Sequence, residues 1–231
     1  MLVVEGVHAR RGDTRVLHGV SLSVGEGEMV ALIGRNGMGK TTLLRSILGQ
    51  CAVTDGRVTL DGTDVTGRPT YAIARASVGV VPEGRGIFPT LRVVENLRMG
   101  LPRSRGADAA VARIYERFPL LRDRARERAG SLSGGQQQML AIARALIASP
   151  RLLLIDEFSE GIQPNIVQEI GGMLQRLNEE GVAVLLVEQN ARLALGISHR
   201  GYILEKGRVV AEGASSALLE DEQALAQHLV I

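Results

Sequence analysis

The sequence predicts an α/β fold built on a mostly parallel sheet, with a helical segment inserted into it. Three observations carry that expectation. MVALI, LLLID and VAVLLVE are short unbroken apolar runs, the pattern of strands buried on both faces of a parallel sheet. Between the last two, NIVQEIGGMLQRLNEEG sets Ile166, Val167, Ile170, Met173, Leu174 and Leu177 at helical spacing and stops at Gly181, which makes a strand–helix–strand unit. Between about Glu83 and Ser133 the strand signal disappears and Arg-rich amphipathic patterns replace it.

Taken in order, MLVVEGVHARRGD reads as a short strand and a polar turn rather than a signal peptide. MVALIG is a strand running into glycines, and KTTLLRSILG is a helix closed by Gly49. RVTLDG predicts a strand with a tight turn, and SVGVVPE another strand. ENLRMGL, VARIYERFPLLRDR and RARERAG predict helices, with Arg122, Arg124, Arg126 and Arg128 on a solvated helix face. QQQMLAIARALIAS is a helix with Met139, Ile142, Ala143 and Leu146 on one side. RGYILEKGRVVAEG predicts a closing hairpin, and the last residues a short helical tail. The expectation is one domain spanning 1–231, with a helical subdomain over roughly 84–135.

Composition narrows the function classes. The 231 residues are 45% hydrophobic and 23% charged, with a net charge of +2, so the chain can bury a sizeable core and shows no bulk signal for nucleic acid. The lone Cys51 cannot form an internal disulfide, which fits a reducing compartment. No apolar run approaches the ~18 residues that span a bilayer, so work at a membrane would need another subunit to hold the chain there. His8, His18, His199 and His228 are scattered without metal-ligand spacing. Of the 27 basic residues only Lys40 and Lys206 are lysine, so a lysine marks a place where a planar guanidinium would not fit. Lys206 sits in a plausible hairpin turn; Lys40 does not.

GRNGMGKTT, comprising Gly34, Arg35, Asn36, Gly37, Met38, Gly39, Lys40, Thr41 and Thr42, matches the phosphate-loop pattern between a predicted strand and a helix. Glycines let backbone N–H groups converge on phosphate oxygens, and the helix N-terminus adds positive potential. Lys40 would reach the β- and γ-phosphates and the Thr41 hydroxyl would hold Mg²⁺. A chance match in a chain of this composition is on the order of a few in a thousand. At the end of LLLID, Asp156 falls at the carboxyl edge of a buried strand, where α/β sheets bind ligands. It can reach Mg²⁺ through water, while Glu157 orients or deprotonates an attacking water. In LSGGQQQ, Ser133, Gly134, Gly135 and Gln136 open a helix with a hydroxyl and bare N–H groups that suit a phosphate; a capping turn is the plainer alternative.

These motifs, in this order, resemble the ATP-binding cassette ATPases of membrane transporters, and the resemblance covers essentially the whole chain. It implies a P-loop NTPase core, an antiparallel N-terminal β subdomain and a helical insertion. It also implies head-to-tail pairing with a second cassette, so that Ser133 to Gln136 completes the partner's ATP site. VPEGRGIFPTLRVVENLRMG, LSGGQQQMLAIARAL and LLVEQNA narrow the resemblance to the ATPases of importers for branched-chain amino acids and related small amides such as urea. EGIQP and the triple Gln lean toward the amide branch, YERFPLLRDR and RGYILEKG toward the amino-acid branch. The implied partners are a second cassette (a heterodimer in the cell, a homodimer as the alternative in isolation), two membrane permeases and, indirectly, a periplasmic solute-binding protein. No nucleic acid is implied. The implied place is the cytoplasmic face of the inner membrane, held peripherally.

The chain departs from the general family pattern at five positions. Glu83 stands where a Gln ligates Mg²⁺ and levers the membrane subunit. Gln189 stands where a His contacts the γ-phosphate, and Gln163 where an Asp lies between sites. These three suggest an unequal pair of sites. Arg11 takes the place of an aromatic that stacks on adenine, a role a guanidinium plane can fill. Phe158 replaces the Pro after Glu157, without its fixed φ. Ile87, Phe88 and Pro89 are apolar residues in a predicted loop, read as a docking surface for a permease loop. The readings open at this point are a hydrolysing transport ATPase, an ATP-binding clamp whose partner turns over, and a soluble cassette of DNA repair or translation. The last usually needs more chain than 231 residues offer.

Overall fold

The computed structural model describes residues 1–74, 77–101, 106–221 and 225. Two sheets organise it. In the first, β1 (Leu2–Arg11), β2 (Thr14–Val24), β4 (Ala52–Leu60) and β5 (Thr63–Asp64) run in the order β2-β1-β4-β5, all antiparallel. In the second, β3 (Met29–Ile33), β6 (Val78–Val81), β7 (Leu152–Asp156), β8 (Ala183–Glu188) and β9 (Arg200–Glu205) are parallel, and β10 (Arg208–Ala214) pairs antiparallel with β9 at one edge. Its order is β10-β9-β3-β8-β7-β6.

Helix α1 (Lys40–Ile47) leaves β3, and α2 (Thr70–Ala74) precedes β6. Between β6 and β7 come α3 (Val93–Arg98), α4 (Ala107–Arg117), α5 (Pro119–Asp123), a 3₁₀ turn at Ala129–Ser131 and α6 (Gly134–Leu146). Helices α7 (Pro164–Glu179), α8 (Ala191–Ile197) and α9 (Ser215–Glu220) follow in turn. The apolar runs read from the sequence are central strands with every residue buried in β3, β7 and β8. Strand β3 explains why such runs need no polar face. Its Met29, Ala31 and Ile33 enter the core shared with α6, α7 and α8, while Val30 and Leu32 enter the core between the two sheets, with Leu43 and Ile47 of α1.

Three sequence expectations change. RARERAG is not a helix. Helix α5 stops at Asp123, and the backbone carbonyls of Ala125 and Glu127 accept from Val94 N (3.1 Å) and Val93 N (3.0 Å), while Ala129 N donates to Leu91 O (2.8 Å). The segment is held open because it satisfies the free N–H groups at the start of α3. Arg122, Arg124, Arg126 and Arg128 therefore share no helix face. The strand read as RVTLDG begins earlier, at Ala52, and TRVLHGVSLSV forms the full strand β2, with Leu17, Val20, Leu22 and Val24 buried. The tail reading reaches α9; residues 222–224 and 226–231, with His228, lie outside the described residues.

The two sheets are tied by Arg200. Its guanidinium bonds both carboxylate oxygens of Glu28, just ahead of β3, and the Tyr202 hydroxyl, and donates to Ser23 O (2.6 Å) and Ser23 Oγ (3.1 Å) in β2. Five acceptors from three segments converge on one fork, which a lysine could not serve. Replacing the side chain strands a half-buried Glu28. Arg200→Ala should lower unfolding free energy by about 1–3 kcal/mol, read as a fall in denaturant midpoint without a change in slope.

Candidate active site

The loop between β3 and α1 is set by close packing. A Cβ at Gly34 would lie 2.5 Å from Leu204 O in β9, so a side chain there would push apart two central strands. Gly39 takes φ 108 against Leu17 of β2, turning the chain into α1. Arg35, Asn36 and Gly37 are exposed at the crest, while Lys40 is 4% exposed. Its Nζ donates to Gly34 O (2.7 Å) and Arg35 O (3.3 Å) and pairs with Glu157 Oε1 (3.1 Å). An ammonium has three donors, and all three are used here. The far side of the loop is held by the β9–β10 turn, where Gly207 N donates to Met38 O (2.9 Å).

Asp156 ends β7 in register with Val187 of β8. It is 3% exposed, and its Oδ1 has no hydrogen-bond partner. Burial pushes its carboxyl up to about 6; the Thr41 hydroxyl and Lys40 oppose that, while Glu157 and Glu83 add to it. The orphaned buried oxygen, the Thr41 hydroxyl and nearby carboxylates form an all-oxygen donor set, which fits a small hard cation such as Mg²⁺. Glu83, Glu157 and Glu160 bring one carboxylate oxygen each within 4.8 Å of one another. Lys40 already pairs with Glu157, and like charges gathered this closely favour a cation beside them.

Glu157 leaves the strand with its N–H on Val187 O (2.9 Å) and takes φ 49, a left-handed conformation costly for a residue with a Cβ. This accounts for Phe158. A proline there would push residue 157 into the extended region, whereas phenylalanine leaves it free to turn. Phe158 is fully buried in the helix-side core, so its ring anchors the loop immediately after the turn; burial of such a side chain contributes about 1.5–3 kcal/mol.

Gln189 follows β8 and is exposed; Ile33 and Glu188 are in register, so the phosphate loop and Gln189 leave the same sheet edge. Gln163 is exposed ahead of α7 and makes no side-chain cap. Arg11 sits exposed where β1 turns into β2, paired with Thr14 in the sheet whose Leu17 backs Gly39. Ser133 is the N-cap of α6. Its hydroxyl accepts from Gln136 N (3.4 Å), and Gln136 Oε1 accepts from Ser133 N (3.0 Å), a reciprocal capping box. Gly135 must be small, because a Cβ would meet Ile166 at 2.4 Å. No hydrogen bond or ion pair among the described residues joins Ser133–Gln136 to Gly34–Thr42.

Three residues outside the sequence-derived set contribute. Arg85 bonds Gln137 Oε1 (3.0 Å), and Gln137 Nε2 donates to Leu132 O (3.0 Å), so the loop after Glu83 is fastened to the turn that opens α6. Glu188, 2% exposed, accepts from Ser159 N (3.0 Å) and Ser159 Oγ (2.9 Å). Burial holds the Glu188 carboxyl above the usual range despite these donors. The signal was present: VAVLLVE ends in an acid at the same sheet edge as LLLID.

Asp156 gives a pH prediction. Its folded pKa lies above the unfolded 3.8, so its contribution to stability is fully present below about 4 and is lost as pH rises through about 6. Asp156→Asn removes that dependence. In denaturant titrations without nucleotide or metal, the variant should gain on the parent as pH goes from 4 to 7, by up to roughly 3 kcal/mol.

Comparison with known proteins agrees with this geometry. Residues 17–160 match the family model described as ABC transporter. The chain is 46% identical over 221 residues to the high-affinity branched-chain amino acid transport ATP-binding protein BraG of Pseudomonas aeruginosa, covering 95% of each. It is 36% identical over 216 residues to the lipopolysaccharide export system ATP-binding protein LptB of Escherichia coli strain K12, covering 90% of this chain and 88% of that one. Among solved structures, a dimeric ATP-binding cassette in a post-hydrolysis state with ADP and Pi superposes with a TM-score of 0.81 at 27% identity, over 93% of this chain and 99% of the other. The chain belongs to the ABC transporter family and is one of its ATP-hydrolysing subunits, with the P-loop ABC ATPase fold.

Proposed function

We propose that this subunit powers an importer of branched-chain amino acids. The observation that carries the reading is the 46% identity with BraG over 95% of both chains. A role in a urea or short-amide importer uses the same site and differs only in the solute, which other subunits select. The likeness to LptB supports the ATPase more than the direction of transport. On this reading 1–231 is one cassette, with the helical subdomain over roughly 84–135. It works as half of a cassette dimer, a heterodimer in the cell, on two permeases fed by a periplasmic binding protein. Among the described residues no helix is long and apolar enough to cross a membrane, so the permeases hold the subunit at the cytoplasmic face.

The proposed mechanism rests on position and charge. ATP phosphates lie on the backbone N–H groups of Gly34–Thr42, Arg11 stacks on the base, and Ser133–Gln136 serve the partner's nucleotide. Mg²⁺, when bound, neutralises phosphate charge; Thr41, Asp156 and Glu83 would hold it. Lys40 exchanges Glu157 for phosphate oxygens, and the released carboxylate orients the attacking water, with Gln189 beside the γ-phosphate. A second reading, an ATP clamp of slow turnover, draws on Glu83, Gln163 and Gln189 standing where the family has other side chains.

Phe88 is the proposed contact with a permease. The residue is 43% exposed, yet its backbone is held by the fully buried Asn96, which accepts from Phe88 N (2.8 Å) and donates to Phe88 O (2.9 Å). Arg144 lies 5.3 Å from the ring centroid on its inner side. An apolar ring held rigidly in water is a contact waiting for a surface.

Two measurements test this. Glu157→Gln should keep ATP binding while turnover in the purified complex falls at least 100-fold; turnover near the parent's level would refute the assignment, and loss only on the equivalent change in the partner would favour the clamp. Phe88→Asp should abolish transport coupling with ATP affinity unchanged; undiminished transport would remove Phe88 from the interface.

A further inference from the structure

Hydrolysis needs the carboxylate of Glu157 at a fixed place, yet Glu157 sits in a left-handed turn past the end of its strand, held to the sheet by its N–H alone. Something must define the far side of that turn. Glu157 N–H is the last rung to β8, on Val187 O. Phe158 is anchored by burial. Ser159 is then clasped by Glu188, which takes the backbone N–H on one oxygen and the hydroxyl on the other. Gln189 follows Glu188 directly, at the end of β8. Consecutive residues of β8, Val187 and Glu188, thus grip residues 157 and 159 from one side.

An acid is a costly choice for this place. It is 2% exposed, it lies near Glu157, and the groups that hydrogen-bond it are neutral donors. A serine or threonine at 188 could satisfy one donor. A side chain with two acceptor oxygens takes both donors of Ser159, one on each oxygen. An amide would turn its NH₂ against one of those donors. The cost is therefore tied to orientation, because the clasp fixes the loop after Glu157 to the end of β8.

We propose that Glu188 is a positioning residue for hydrolysis, which through its clasp on Ser159 holds the Glu157 turn against the end of β8. The inference rests on the reading of Glu157 as the hydrolytic carboxylate. Ser159 is its partner in the clasp, and neither residue belongs to the phosphate loop.

The test uses the full chain under conditions where the parent turns over, with kcat, KM for ATP, ATP affinity and melting temperature measured for each variant. Glu188→Ala and Ser159→Ala should lower kcat roughly 10- to 100-fold while KM and ATP affinity stay within about twofold. Ser159→Thr, which keeps both donors, should restore kcat to within about threefold of the parent. The double variant should be no slower than Glu188→Ala alone, because both changes break one clasp. Glu188→Gln should fall between. If Glu188→Ala does not fold, Ser159→Ala decides, since it removes a single hydroxyl. The inference is overturned if Glu157→Gln is inactive while Glu188→Ala and Ser159→Ala keep parental kcat. It is overturned equally if kcat falls only in proportion to ATP affinity and melting temperature, which is what loss of fold alone would give. If Glu157→Gln keeps full turnover, the reading of Glu157 fails first and takes this one with it.

Discussion

A buried ammonium cannot be left with unmet donors, and the structure around Lys40 follows from that constraint. At 4% exposure the charge needs three oxygens, and it finds them on Gly34, Arg35 and Glu157. Two of those belong to the phosphate loop and one to the end of β7, which lies beyond β8 in the sheet. Lys40 therefore draws together two loops separated by more than a hundred residues of sequence. Phosphate-loop shape and the approach of Glu157 are consequences of one side chain. A guanidinium in the same space would have two donors too many and a plane where a point is needed, which is why a chain so rich in arginine has a lysine here.

Much of this was readable in advance, for reasons that can be named. Strands buried on both faces announce themselves as unbroken apolar runs, and β3, β7 and β8 are such strands. The phosphate loop is legible because its glycines answer local demands, as at Gly34 against Leu204 O. What was not legible depends on partners distant in sequence. RARERAG has a helical pattern, but its carbonyls are taken by the start of α3. Strand β2 alternates, yet a pair of glycine-containing irregularities against β1 breaks its register and blurs the signal. Glu188 looks like any acid after a strand until Ser159, 29 residues away, is brought to it.

Phe158 shows how one departure from a family pattern can be self-consistent. The proline it replaces would fix its own φ and restrain its predecessor. Here the predecessor turns left-handed, and the restraint is supplied after the turn by a buried ring and a clasped serine. Rigidity is kept while its source moves from the backbone to side-chain packing. Such a loop depends on the core beneath it, so changes in core volume around Phe158 reach Glu157 through a single residue.

The scarcity of lysine has a consequence of a practical kind. With Lys40 enclosed, Lys206 is the one exposed side-chain amine in the sequence, at 84% exposure. It stands in the β9–β10 turn whose backbone touches Met38, at the crest of the phosphate loop. Amine chemistry, usually a blunt way to modify a protein, would here favour one side chain, beside the phosphate loop, over the enclosed Lys40. The fold has, without engineering, an address for an optical reporter of its own catalytic cycle.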